Sequence, residues 1–91
     1  MNGKIDEKTL LELSNAFMEL FRKHNCNLDD VLLSQWVLDF KMTLSPPENK
    51  LFSIMEHDLE SKDYFSIEGS VGREQYCLKQ AGYDFIYKPV N

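Results

Sequence analysis

Glycine and proline are scarce, four and three residues in a chain of 91. Their scarcity excludes collagen-like and low-complexity classes, and it makes the few that occur informative as boundaries. Cysteine is scarcer still. Cys26 and Cys77 are too few for a disulfide scaffold and fit reduced, half-buried thiols of the kind a cytoplasm maintains. Long hydrophobic runs are missing. The longest uncharged apolar-rich stretch, Val31 to Leu38, contains Ser34 and Gln35 and falls far short of a membrane span. The opening MNGKIDEKTLLEL interleaves charge with its apolar residues and lacks the layout of a signal peptide, so a cytoplasmic location is expected. Basic residues are outnumbered: ten Lys and Arg face fifteen Asp and Glu, for a net charge of −5. A surface of that sign repels phosphate backbones and anionic lipid unless a local basic patch overrides it. No membrane association is expected.

Motifs for catalysis and cofactors are equally thin. The only close glycine pair, Gly69 and Gly72, has no following Lys-Ser/Thr and is no phosphate loop. His24 and Cys26 lie two apart while His57 and Cys77 are isolated, unlike the paired spacings of zinc sites. A Cys77–His57 nucleophile pair has only Lys79 nearby to activate the thiol, on a strand position expected to face solvent. We therefore expect no metal, no cofactor and no enzymatic activity.

What is present is helical periodicity followed by a hairpin. Asp6 is a good N-cap, with Glu7 complementing the dipole of a first helix. Leu10, Leu13, Phe17, Leu20 and Phe21 form its apolar stripe, widened by Leu11 and Met18. The pattern stops near His24-Asn25. Asn27 with Asp30 resembles a capping arrangement for a second helix of about sixteen residues, reaching Leu44. This helix is apolar on most sides: Leu28, Val31, Leu32, Trp36 and Phe40 on one face, with Leu33, Val37, Leu38 and Leu44 around it. A helix of that kind is central, with Trp36 as a core anchor, or spends its surplus on a homodimer.

Ser45-Pro46-Pro47-Glu48 is the sharpest local signal. Serine at N-cap, proline at N1 and glutamate at N3 make a capping box for a third helix running to about Lys62. Leu51, Phe52, Met55 and Leu59 face its core, with Ile54 beside them. Glu48, Lys50, Glu56, His57, Asp58, Glu60 and Lys62 are expected outside, four acids against two bases. Phe65-Ser66-Ile67-Glu68 alternates like a half-buried strand, Gly69 to Gly72 is a turn, and Arg73 to Leu78 returns with Tyr76 and Leu78 inward. Residues 81–86 fit either a short helix or, through Tyr83, Phe85 and Tyr87, one face of a third strand, ended by Pro89.

The order of these elements over about residues 46–86 resembles the winged helix superfamily. The matching residues are Leu59-Glu60-Ser61-Lys62-Asp63-Tyr64 at the end of the third helix, then Tyr76-Cys77-Leu78-Lys79-Gln80-Ala81-Gly82. Asp63 stands where glycine is usual, and Lys79 stands where a capping threonine is usual. The resemblance implies a single α+β domain, winged-helix-like. Three N-terminal helices would precede a β-hairpin wing and a short C-terminal element.

Two functions follow as expectations. The favoured one is docking to a protein partner with a basic patch, as an adaptor or inhibitor of the kind some phages encode. Glu56, Asp58 and Glu60 on the third helix would supply the contact. The alternative is DNA binding, with the third helix in the major groove and the wing on phosphate. Lys50, Lys62, Ser70, Arg73 and Lys79 would make those contacts.

Overall fold

The computed structural model describes residues 6–87. Pro89 lies outside them. The chain runs α1 (Glu7–Lys23), β1 (Val31–Leu32), α2 (Ser34–Lys41), α3 (Pro46–Ser61), β2 (Phe65–Glu68), β3 (Gln75–Leu78) and α4 (Gln80–Tyr87). It is an α+β architecture with one antiparallel sheet in the order β1-β3-β2.

α1 begins where the sequence predicts, with the Asp6 carboxylate accepting the Thr9 amide at 3.2 Å. It ends at His24 because Asn25 takes a left-handed φ of 55°. The Asn25 amide then donates to the Arg22 carbonyl and the Cys26 amide to the Phe21 carbonyl. α3 closes in the same way. Asp63 adopts φ 61° and donates to Glu60, while the Tyr64 amide donates to Leu59. Both ends satisfy their last carbonyls through the two backbone hydrogen bonds that a left-handed residue permits, with Asn and Asp in glycine's usual place.

The predicted sixteen-residue second helix does not form. The Asp30 carboxylate does accept the Asn27 amide, at 2.8 Å, as the capping pattern suggested. Asp29 then turns the chain with φ 69°. Its amide donates to the Leu78 carbonyl, and the Leu78 amide donates to the Asp30 carbonyl. Val31 and Leu32 consequently pair with Cys77 and Tyr76 as a third strand. Only the eight residues from Ser34 to Lys41 remain helical, and their N-cap Leu33 offers no side-chain bond. The ambiguous C-terminal stretch is helical, so Tyr83, Phe85 and Tyr87 do not form a strand face.

Phe17 is the centre of the core. Its ring lies edge-on to Phe21, Phe40, Phe52, Phe65 and Tyr76, with centroids 5.3–6.0 Å apart. Leu13, Met18, Leu32, Met55 and Leu78 complete it, all fully buried. Tyr76 and Leu78 point inward as the strand alternation predicts. Leu11 departs from the predicted stripe and is 61% exposed. Trp36 is half-buried, packs against the edge of the core and stacks on His24 with centroids 3.9 Å apart, joining α2 to the end of α1. No helix of the described residues is long and apolar enough to cross a membrane.

Candidate functional site: the third helix and its hairpin

α3 is the element on which both functional expectations rest, and its boundaries follow from its own first turn. The Ser45 hydroxyl accepts the Glu48 amide, and the Glu48 carboxylate accepts the Ser45 amide at 2.8 Å. Phe52, Met55 and Leu59 then fall on one buried stripe. The opposite face carries Lys50, Ser53, Ile54, His57 and Ser61, all exposed, while Asn49 lies on the flank that also holds Glu56 and Glu60. No acid lies on it.

The four acids of α3 sit elsewhere, and each has a partner. Glu48 is held in the capping box. Glu56 is half-buried and accepts the phenol hydroxyl of Tyr76 on β3. One turn later Glu60 accepts the backbone amide of Ile67 on β2 at 3.2 Å. These two carboxylates, four residues apart, therefore grip both strands of the hairpin. The Ile67 amide is not used in the ladder, so Glu60 also blunts the edge of β2. Asp58 lies on the other flank and pairs with Lys62 at 3.1 Å. Glu56, Asp58 and Glu60 thus do not form one cluster. They border the solvent face of α3 on both sides, two toward the hairpin and one toward α1.

Burial raises the affinity of Glu56 for its proton, opposed by the Tyr76 hydrogen bond and the charge of Lys41. The Tyr76 phenol is pushed far above its ordinary value by burial, then by its bond to Glu56 and the charges of Glu56, Glu74 and Glu60. It stays protonated and donates throughout the ordinary pH range. Lys41 lies beside this pair, its ammonium 4.8 Å from the centre of the Phe52 ring. A cleft of about 350 Å³ opens here between α2 and the hairpin, lined by Ser34, Gln35, Leu38, Lys41, Glu74 and Tyr76.

The five basic and polar candidates separate in space. Lys50 is on the exposed face of α3, and Arg73 and Ser70 are exposed at the hairpin turn. The Arg73 amide closes that turn by donating to the Ser70 carbonyl at 2.9 Å. Gly69 permits it, because at φ 100° a Cβ there would collide with the Arg73 carbonyl oxygen. Lys62 is engaged by Asp58. Lys79 follows β3 at the end remote from the turn and pairs with Asp29 at 3.7 Å, so it is not part of the wing. Sequence reasoning missed Asn49 and Ser53 as surface groups, although both follow from helical spacing against the buried stripe.

Cys26 and Cys77 are both buried, which corrects the expectation of a solvent-facing Cys77. Burial, with Asp30 nearby, pushes the Cys26 thiol up and keeps it a poor nucleophile. Among the described residues no three His, Cys, Asp or Glu side chains gather in a way that could hold a metal ion. α2 keeps Leu38 (54% exposed) and Met42 just past its end (78% exposed) on its outer face, the remnant of the surplus apolar surface read from the sequence. Comparison with protein families, curated proteins and solved structures finds no match to this chain.

Proposed function

We propose that this chain is a winged-helix-type domain that acts by binding, not by catalysis, and that its partner is a protein presenting a basic rim. The fold reading is supported by the order helix, strand, helix, helix, strand, strand. It is also supported by β1 adding to the hairpin to give the order β1-β3-β2. In this reading α3 is the presented helix and residues 69–74 are the wing.

One observation carries the choice of partner. The solvent face of α3 is polar with one apolar residue, Ile54, and carboxylates stand along both of its flanks. A helix lying in a major groove has phosphates on both sides, and Glu56, Glu60 and Asp58 would face them. A protein surface with an apolar centre and a basic rim suits the same arrangement, because complementary charge at the rim steers encounter. The exposed Leu38 and Met42 of α2 add apolar area that DNA would leave uncovered.

A second reading, duplex DNA, rests on a specific observation too: the face itself carries no acid, and Lys50 and Arg73 have no ion pair among the described residues. Two phosphate contacts give a salt slope of about −2 in log K against log salt. The discriminating experiment is titration of a labelled mixed-sequence duplex at low salt, beside affinity capture from the source cell with wild type and Ile54→Asp. We expect no duplex binding, and one captured protein lost with Ile54→Asp. Duplex binding with that slope, abolished by Lys50→Glu, would establish the DNA reading in its place.

A further inference from the structure

α2 is the element with the least to hold it. Among the described residues, no hydrogen bond or ion pair ties residues 34–44 to another element. The Trp36 and Val37 amides donate to Leu33, the Thr43 amide and hydroxyl to Phe40, and the Gln35 side chain to Asp39. By contrast, the residues before β1 are tied to Leu78 of β3, and α3 is tied to the hairpin through Glu56 and Glu60. α4 is anchored by the Tyr87 hydroxyl, which donates to the Cys26 carbonyl at 2.8 Å. α1 buries five residues in the core, whereas α2 buries Val37 alone. Open space flanks it on both sides. One cleft, of about 350 Å³, separates its Ser34, Leu38 and Lys41 edge from the hairpin; another, of about 360 Å³, separates its Trp36, Asp39 and Thr43 edge from the end of α1. Beneath it lies a ridge of rings. Phe40 meets Phe17 and Phe52 with centroids 5.8 and 6.5 Å apart, the Lys41 ammonium rests over Phe52, and Trp36 stacks on His24.

We infer that α2 is a latch that opens as a unit while the rest of the domain stays folded, joining the two clefts into one aromatic groove floored by Phe17, Phe52 and Tyr76. Both of its ends permit this. Leu33 is extended, at φ −70° and ψ 148°, and gives α2 no side-chain cap. At the other end the box between Ser45 and Glu48 closes α3 locally, so α3 keeps its first turn whether or not α2 is in place. An eight-residue helix does not persist alone in water, so α2 is formed only while docked. Its release gives up the burial of Val37 and the ring contacts but breaks no hydrogen bond to the body of the domain. Opening also carries Lys41 away from Glu56, so the state of α2 sets the charge along the hairpin side of α3.

The inference needs no partner and is tested on the full chain by native-state amide exchange in low urea. The α2 amides should exchange together, at least about 100-fold faster than those of α1 and α3, with one shared and shallow urea dependence. Trp36 is the only tryptophan, and its fluorescence should change at lower urea than far-ultraviolet circular dichroism does. Val37→Asp should hold the latch open: α2 loses its exchange protection and Trp36 moves into water, while α1, α3 and the sheet stay protected. A domain that unfolds entirely with Val37→Asp overturns the inference. So do α2 amides that exchange at the rates of α1 and α3. Rates graded from the ends of α2 without urea dependence also overturn it, because they report fraying and not opening as a unit.

Discussion

α3 and the stretch from Asn27 to Lys41 start from similar sequence signals and end differently. Each begins with a polar residue followed three positions later by an acid, and each continues into apolar residues. In α3 the box closes on itself, Ser45 with Glu48, and proline at the first helical position locks the entry. In the earlier stretch the acid also reaches back, Asp30 to Asn27, but the residue between them takes a left-handed turn. The chain then satisfies its next amides and carbonyls on β3. A cap is therefore a local device whose outcome depends on what else can take the backbone hydrogen bonds. The preorganised proline decides the first case, and the free edge of β3 decides the second.

This contrast predicts that the 27–41 segment is held by burial and α3 by local bonds as well. The largest effect is then expected at Leu32, which is fully buried on a strand of only two residues. Leu32→Ala should destabilise the domain by about 3 kcal/mol in urea unfolding. A loss under about 1 kcal/mol would mean that β1 is not anchored through this side chain. Gly82→Ala comes next. The added methyl group collides with the backbone carbonyl of Tyr64, which cannot yield as a side chain would. The expected cost is about 2 kcal/mol, with α4 displaced from α1.

Ser45→Ala tests the local side of the comparison. It removes an exposed cap bond and should cost about 1 kcal/mol, concentrated in amide exchange of the first turn of α3. If the whole domain lost as much as with Leu32→Ala, the distinction between local and tertiary support would collapse.

How much could be read from sequence follows the same division. The starts of α1 and α3 and the full extent of β2 were legible because their determinants lie within a few residues: Asp6, Ser45-Pro46, and the alternation from Phe65 to Glu68. β1 was not. Its pairing with Cys77 and Tyr76 spans more than forty positions, and Val31-Leu32 reads equally as helix or strand in isolation. The site divided likewise. Spacing alone puts Lys50, Ser53, Ile54 and His57 on one face. That Glu56 and Glu60 are occupied by Tyr76 and Ile67 required the hairpin to be folded onto α3. Counting acids along a helix did not show where they stand: the carboxylates border its solvent face, and two of them also hold the hairpin.

Glu56 offers a smaller and pH-dependent test. Its proton affinity is raised in the folded state, mainly by burial. The associated stability is complete below the ordinary carboxylate range and is lost as pH rises through the folded value. Glu56→Gln keeps an acceptor for Tyr76 and removes the buried charge. At pH 7 it should match or exceed wild type, by about 0.5 kcal/mol, and the difference should vanish on acidification into the carboxylate range. A variant less stable at pH 7 would show that the ionised carboxylate, with Lys41 and Tyr76 beside it, contributes more than its burial costs.

The smallest effect is expected from Asp63→Gly, where the local logic of α3 ends. Asp63 holds a φ of 61° so that its own amide and that of Tyr64 can return to Glu60 and Leu59. Any L-residue is strained there, Asp less than most, and glycine not at all. Asp63→Gly relieves that strain but adds freedom to the unfolded chain, two opposing terms each under about 1 kcal/mol. The net change should be a gain of a few tenths of a kcal/mol, about the limit of a denaturation curve. Asp63→Val separates the terms. Its branched side chain tolerates positive φ poorly, so it should cost about 1–2 kcal/mol while leaving the Ser45 cap intact. Equal stability of the valine and glycine variants would mean that α3 does not depend on the left-handed turn at its end, and that the hairpin's hold on Glu56 and Glu60 fixes the helix terminus instead.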